Sequence, residues 1–324
     1  MPDDLPVSDE LSANPSGELS LPHPPVEHGP KWVFFNKDGL RAGWSALLFV
    51  VIFLALAFAF GAAVKLLHIP VPNSKGPLPV RAALAFEFVQ AFLVLVATWI
   101  MARIEGRRLA VYGYAGRARV PRFFYGGIWG FIAVSCMVLV LWATHLLAFN
   151  SGHLHGLTAW KYGLAWLAMF FLTGIAEESL LRGYLQYTLT RGIGFWWGAL
   201  LMSVLFGALH GHNQGESPVG LFSAGAVGLV FCISLWYTGS LWWAIGFHAA
   251  WDWGQTFFYG TPDSGMVARG HFLAEHPTGS LLWSGGPTGP EGSLYIVPML
   301  LIMALVMWLW WRRKPVAGPY DTNA

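Results

Sequence analysis

The chain has 324 residues, of which 55% are hydrophobic and 11% charged, with 18 Trp and a mean hydropathy of +0.51. Soluble domains carry about 25% charged residues, so this composition excludes an ordinary water-soluble protein and indicates a polytopic membrane protein. A net charge of +2 leaves no nucleic-acid footprint, and the basic residues belong to topology instead. Cys136 and Cys232 both lie inside apolar runs, which argues against a disulfide framework or a cysteine metal site.

Residues 1–30 hold seven prolines, six acidic residues and no Lys or Arg, a composition that cannot bury enough surface to fold. A disordered acidic, Pro-rich tail is therefore expected over 1–40, followed by a membrane-embedded bundle over 41–314 and a short tail over 315–324. The first apolar run starts near Trp44, after Lys31, Lys37 and Arg41, which suits a retained first span better than a cleavable signal peptide.

Runs long enough to cross about 30 Å of hydrocarbon fall at 44–65, 82–102, 124–147, 160–190, 195–211, 218–237, 241–259 and 293–311. They predict an all-α bundle of about eight transmembrane helices, because no unpaired backbone can face lipid and barrel strands would be half as long and alternating. With a cytoplasmic N-terminus, thirteen Lys and Arg fall on the cytoplasmic side and five (Lys65, Lys75, Arg81, Lys161 and Arg269) on the other. The positive-inside rule thus places both termini in the cytoplasm. The Gly- and Pro-rich stretch from Gly260 to Gly292 is expected to be a solvated loop rather than a substrate-gating lid. Neither an internal repeat nor a second domain is visible.

Ionisable residues inside apolar spans are costly and mark functional sites. Here they are Glu87, Glu177, Glu178, Arg182, His210, His248 and Asp252. Glu178 and Arg182 are four apart, in the favourable order for a helical ion pair, so they should hold each other and leave Glu177, about 100° round the helix, unpaired. His248 and Asp252 share a face, as do Phe206 and His210. At 1.5 Å of rise per residue, Glu178, His210, His248 and Asp252 lie about 20, 24, 14 and 20 Å from their nearest turns, close enough in depth to converge on one cavity. Glu87, near the end of its span, reads as structural or snorkelling.

A free carboxylate in a water-poor cavity suits a general base that takes a proton from water and returns it later, and Glu177 is the natural candidate. A neutral histidine could orient that water, and further donors could stabilise the oxyanion of a tetrahedral intermediate. His248 is placed for this, with Asp252 donating when protonated or fixing the tautomer of His248. The same set, Glu177, His210, His248 and Asp252, could instead hold Zn²⁺ with an open position for water. No His-Glu-x-x-His or Gly-x-Ser-x-Gly motif occurs.

Glu177-Glu178-x-x-x-Arg182, Phe206-x-x-x-His210 and His248-x-x-x-Asp252, each on its own apolar run, resemble the three motifs of the CPBP family, the CAAX protease or Abi intramembrane endopeptidases. The resemblance covers about residues 160–259. It implies an eight-helix membrane endopeptidase that hydrolyses peptide bonds of membrane proteins or peptides. Glu177 and His210 would activate water, His248 and Asp252 would contact the oxyanion, and Glu178, Arg182 and Phe206 would support them. A glutamate mechanism without a cofactor is favoured over one using Zn²⁺. Asp252 stands where CAAX-cleaving relatives usually carry Asn, which points away from prenylated substrates and toward a bacterial member in the inner (plasma) membrane. Two other classes use similar residues: a proton-coupled transporter, and a non-catalytic immunity or scaffold protein.

Overall fold

The computed structural model describes residues 31–37, 39–69, 79–116, 118–150, 154–213, 215–313, 318 and 320. Most of the expected N-terminal tail, residues 1–30, lies outside the described residues, as does most of the 315–324 tail. Residues 31–37 and 39–40 hold a single helical turn, α1 (Lys31–Phe34), and a two-residue antiparallel ladder of β1 (Phe35–Asn36) with β2 (Gly39–Leu40).

Every predicted apolar run folds as helix. The long elements are α2 (Ala42–Leu66), α3 (Val80–Ile104), α4 (Arg119–Ala143), α5 (Gly156–Glu178) and α8 (Pro218–Thr238). A π-helical stretch, Ser179–Leu185, joins α5 to α6 (Gln186–Ile193). The shorter apolar helices are α7 (Phe195–His210), α9 (Trp242–Trp253) and α11 (Ile296–Trp311). Five helices, with α5 and α6 taken as one continuous 38-residue span, are long and apolar enough to cross a membrane. The all-α, multi-pass architecture stands, whereas a count of eight crossings does not follow from helix length. Large apolar side chains such as Phe58, Leu164, Trp197 and Leu301 are exposed on the outer faces, as lipid-facing helices require.

Local signals set the helix ends. Gly194 at φ 86° breaks α6 from α7. Ser217 Oγ accepts the Gly220 N–H at 3.0 Å with Pro218 at the first helical position, and Gly239 closes α8 at φ 66°. Of the four buried clusters among the described residues, the two largest organise the interior. One, including Val134, Met137, Leu141, Phe231, Phe247 and Leu300, joins α4, α8, α9 and α11. The other, including Phe49, Met101, Tyr112, Tyr184 and Phe206, joins α2, α3 and α7 to the π-helical stretch. α9 lies so close to α4 that a Cβ on Gly246 would fall on the Phe123 carbonyl, the close backbone approach that small residues permit between membrane helices.

The Gly260–Gly292 stretch corrects the expectation of a solvated loop. Its strand β4 (Ala274–Pro277) pairs antiparallel with β3 (Leu147–Asn150), ahead of a short α10 (Leu281–Ser284). The Thr288 hydroxyl donates to the Gly215 carbonyl at 3.0 Å. The stretch is thereby tied to the α4–α5 and α7–α8 connections and packs over one end of the bundle. At the other end, Leu241 N–H donates to the Gly113 carbonyl at 2.9 Å and Trp242 Nε1–H to that of Tyr114 at 3.1 Å.

Candidate active site

Two helices deliver the central groups, and both leave α-helical geometry just past them. α5 ends at Glu178 and continues as the π-helical stretch Ser179–Leu185, where Gly183 has a non-helical ψ of −106°. α9 ends one residue after Asp252 and continues as a second π-helical stretch, Gly254–Tyr259. Such wide turns occur preferentially at functional sites, because they re-aim side chains that an α-helix would stack. The first is held from outside: Tyr184 Oη donates to Glu105 Oε1 at 2.6 Å, and the buried Tyr320 Oη donates to the Arg182 carbonyl at 2.7 Å.

Glu178 and Arg182 form the expected ion pair, Arg182 Nη1 donating to Glu178 Oε1 at 3.1 Å, and both side chains are essentially inaccessible. The Arg182 guanidinium lies over the Phe206 ring, 4.4 Å from its centroid, a stabilising cation–π contact in a dry environment. Gly228 on α8 makes the room, since a Cβ there would strike Arg182 Nη2 and Ser203 Oγ. Glu178 has a second partner that periodicity does not show. Its Oε1 also accepts the Nδ1–H of His248 at 3.2 Å. Glu178 therefore sets the orientation of His248, a role the sequence had offered to Asp252.

On the other ring nitrogen, Nε2 lies 3.4 Å from Asp252 Oδ2 and 3.5 Å from Glu177 Oε2. The structure thus brings Glu177, Glu178, His248 and Asp252 around a single imidazole. His210 stands apart from this set but lines the same cavity as Glu177, His248 and Asp252. Its Nδ1 is 2.8 Å from the Phe206 carbonyl. A carbonyl only accepts, so Nδ1 carries a proton, and it is Nε2 that holds the lone pair when the ring is neutral. The Phe206 ring is in T-shaped contact with both imidazoles, its centroid 4.6 Å from that of His210 and 6.2 Å from that of His248.

The cavity has a volume of about 620 Å³, within the range of ligand clefts. Three of its acidic residues lie outside the set read from the motifs: Glu87, Asp263 and Glu291. Glu87 neither snorkels nor sits at a surface; it is 8% exposed and its Oε2 has no hydrogen-bond partner among the described residues. Asp263 and Glu291 come from the 260–292 stretch. Asp263 Oδ2 accepts from Thr256 Oγ1 at 2.8 Å, and Glu291 Oε1 accepts from the Ser264 N–H at 2.7 Å and hydroxyl at 2.8 Å. Burial, then the nearby charges of Asp252 and Glu291, raises the Asp263 carboxyl well above the usual carboxylate range. The signal for Glu87 was present, a carboxylate within an apolar run. Asp263 and Glu291 carry no periodicity that would mark them.

Glu177 and Asp252 both approach the same His248 nitrogen, at 3.5 and 3.4 Å, and among the described residues no group of three or more His, Cys, Asp or Glu is arranged to hold an ion. Cys136 and Cys232 are both free.

Residues 158–254 match the family model described as Rce1-like, type II CAAX prenyl endopeptidase Rce1-like. The match contains all three motifs and, with the apolar helices, supports a multi-pass membrane protease of the CAAX type. No curated protein and no solved structure gives a significant match.

Proposed function

We propose that this chain, whose core is that of the CPBP (CAAX protease) family, hydrolyses peptide bonds of membrane-associated proteins or peptides in its acidic cavity by a metal-free, glutamate-based mechanism. The observation that carries the reading is the convergence of Glu177, Asp252 and Glu178 on His248 in a cavity shared with His210.

Water enters between Glu177 and His210. His210 Nε2, its lone pair kept available by the Nδ1–H bond to Phe206, accepts a hydrogen bond and orients the water. The Glu177 carboxylate takes the proton as oxygen attacks the carbonyl carbon. His248, carrying a proton on each ring nitrogen among the Glu178, Asp252 and Glu177 carboxylates and fixed through Nδ1 by Glu178, donates from Nε2 to the oxyanion, with Asp252 holding that edge of the ring. Glu177 then returns its proton to the departing amine.

The Lys and Arg count assigns both termini to the cytoplasm. If all eight apolar runs cross the bilayer, the end capped by the 260–292 stretch then faces away from the cytoplasm. Cleavage of a membrane-peptide substrate by purified protein tests the reading. Activity should fall by about 10²-fold or more in Glu177→Ala and His210→Ala, and equal activity in those variants overturns it.

A further inference from the structure

The cavity holds more carboxyl groups than hydrolysis needs, and where they crowd, as at Asp263, they retain protons that an incoming cation would displace. Glu87, Glu177, Asp252, Asp263 and Glu291 all line it, and its described lining contains no Lys or Arg. Arg182 is fully buried in its pair with Glu178 and does not reach the cavity. Carboxylates crowded in a poorly hydrated space repel one another at long range and bind cations to relieve that repulsion. Glu87 is the clearest case. It sits on α3, which contributes nothing to the motifs, is more than nine-tenths buried, and points Oε2 to no hydrogen-bond partner. It lies within electrostatic reach of Glu177 and His248. Elsewhere in the lining, the turn at Asp263–Met266 is closed by two backbone hydrogen bonds of 2.9 and 2.7 Å and bolted to Glu291 through Ser264. The acidic wall is therefore built, not a chance of loop composition.

We propose that Glu87, Asp263 and Glu291 select substrate by charge: they receive a Lys or Arg side chain flanking the scissile bond, and they exclude segments whose free C-terminal carboxylate would fall inside the cavity. The proposal rests on the hydrolytic reading for its reference to a scissile bond. Its physical basis is asymmetry. A cationic side chain entering this space gains from several carboxylates at once, whereas a terminal carboxylate meets repulsion from the same groups and no basic residue to accept it.

The test separates selection from hydrolysis. Binding is measured with the full chain in nanodiscs, carrying Glu177→Ala so that nothing is turned over, against labelled Ala/Leu peptides with capped termini that differ only in a central Lys, Gln or Glu. A fourth peptide has the central Gln and a free C-terminal carboxylate close to it. The Lys peptide should bind at least about tenfold tighter than the Glu peptide, with Gln between them and the free-carboxylate peptide among the weakest. Glu87→Gln and Asp263→Asn should each shrink the Lys-over-Glu preference, and Glu87→Lys should reverse it, which misfolding cannot do. Equal binding of Lys and Glu peptides, or an unchanged preference in Glu87→Gln and Asp263→Asn, overturns the proposal. Cleavage without charge preference in the otherwise wild-type chain overturns the selection and leaves hydrolysis standing. Charge-selective binding with no peptide cleaved does the reverse.

Discussion

Glu177 and Glu178 are the same residue type, one peptide bond apart, and the molecule treats them oppositely. Glu178 is inaccessible and serves Arg182 and His248 together. Glu177 is about a quarter exposed, lines the cavity and reaches only the outer edge of His248. The lesson is that a 100° turn of helix separates a carboxylate committed to architecture from one available to water. The buried pair is costly to desolvate and is held by mutual compensation. The cavity carboxylates lack such compensation, which is what makes them reactive toward protons and cations.

The contrast can be broken most strongly at the reactive member. Glu177→Gln should lower peptide cleavage by about 10²- to 10⁴-fold, the usual worth of a general base, while the melting temperature hardly moves. At the committed member the effects should exchange places. Arg182→Met strands a buried carboxylate and should destabilise the protein by about 3–5 kcal/mol, read by thermal unfolding in detergent. Adding Glu178→Gln should recover much of that stability. Cleavage should stay impaired in the double variant, because His248 Nδ1 then donates to a neutral amide.

A smaller effect should follow from filling the space that seats Arg182. Gly228→Ala places a methyl group against Arg182 Nη2 and Ser203, and should cost about 1–3 kcal/mol by overpacking. Smallest is a test at the end capped by the 260–292 stretch. Burial raises the Glu275 carboxyl from 4.5 to about 8, so the folded protein holds that proton more tightly than the unfolded chain. The stability this group confers is complete below about 4.5 and is lost as pH rises through about 8. Relative to Glu275→Gln, the wild-type melting temperature should therefore decline across that interval, and parallel profiles would show that Glu275 is in effect exposed.

Much of this was legible in sequence because it depends on local periodicity. Each apolar run became a helix near its expected bounds, and the four-residue spacings of Glu178 with Arg182 and of His248 with Asp252 became contacts of 3.1 and 3.4 Å. What failed shares a cause. The second partner of Glu178 is 70 residues away, the burial of Glu87 depends on α5 packing against α3, and Asp263 and Glu291 enter through a stretch whose Gly and Pro content reads as loop.

The sequence by itself determined a helical membrane protein with three charged motifs on separate spans, because hydrophobic length and helical pitch are properties of neighbouring residues. The tertiary structure alone decided that three carboxylates surround His248, that two motif helices widen into π turns beside their functional groups, and that the cavity is walled in acid. Those outcomes depend on which helix faces lie against each other and how closely glycines let them approach, and no single stretch of chain contains that information.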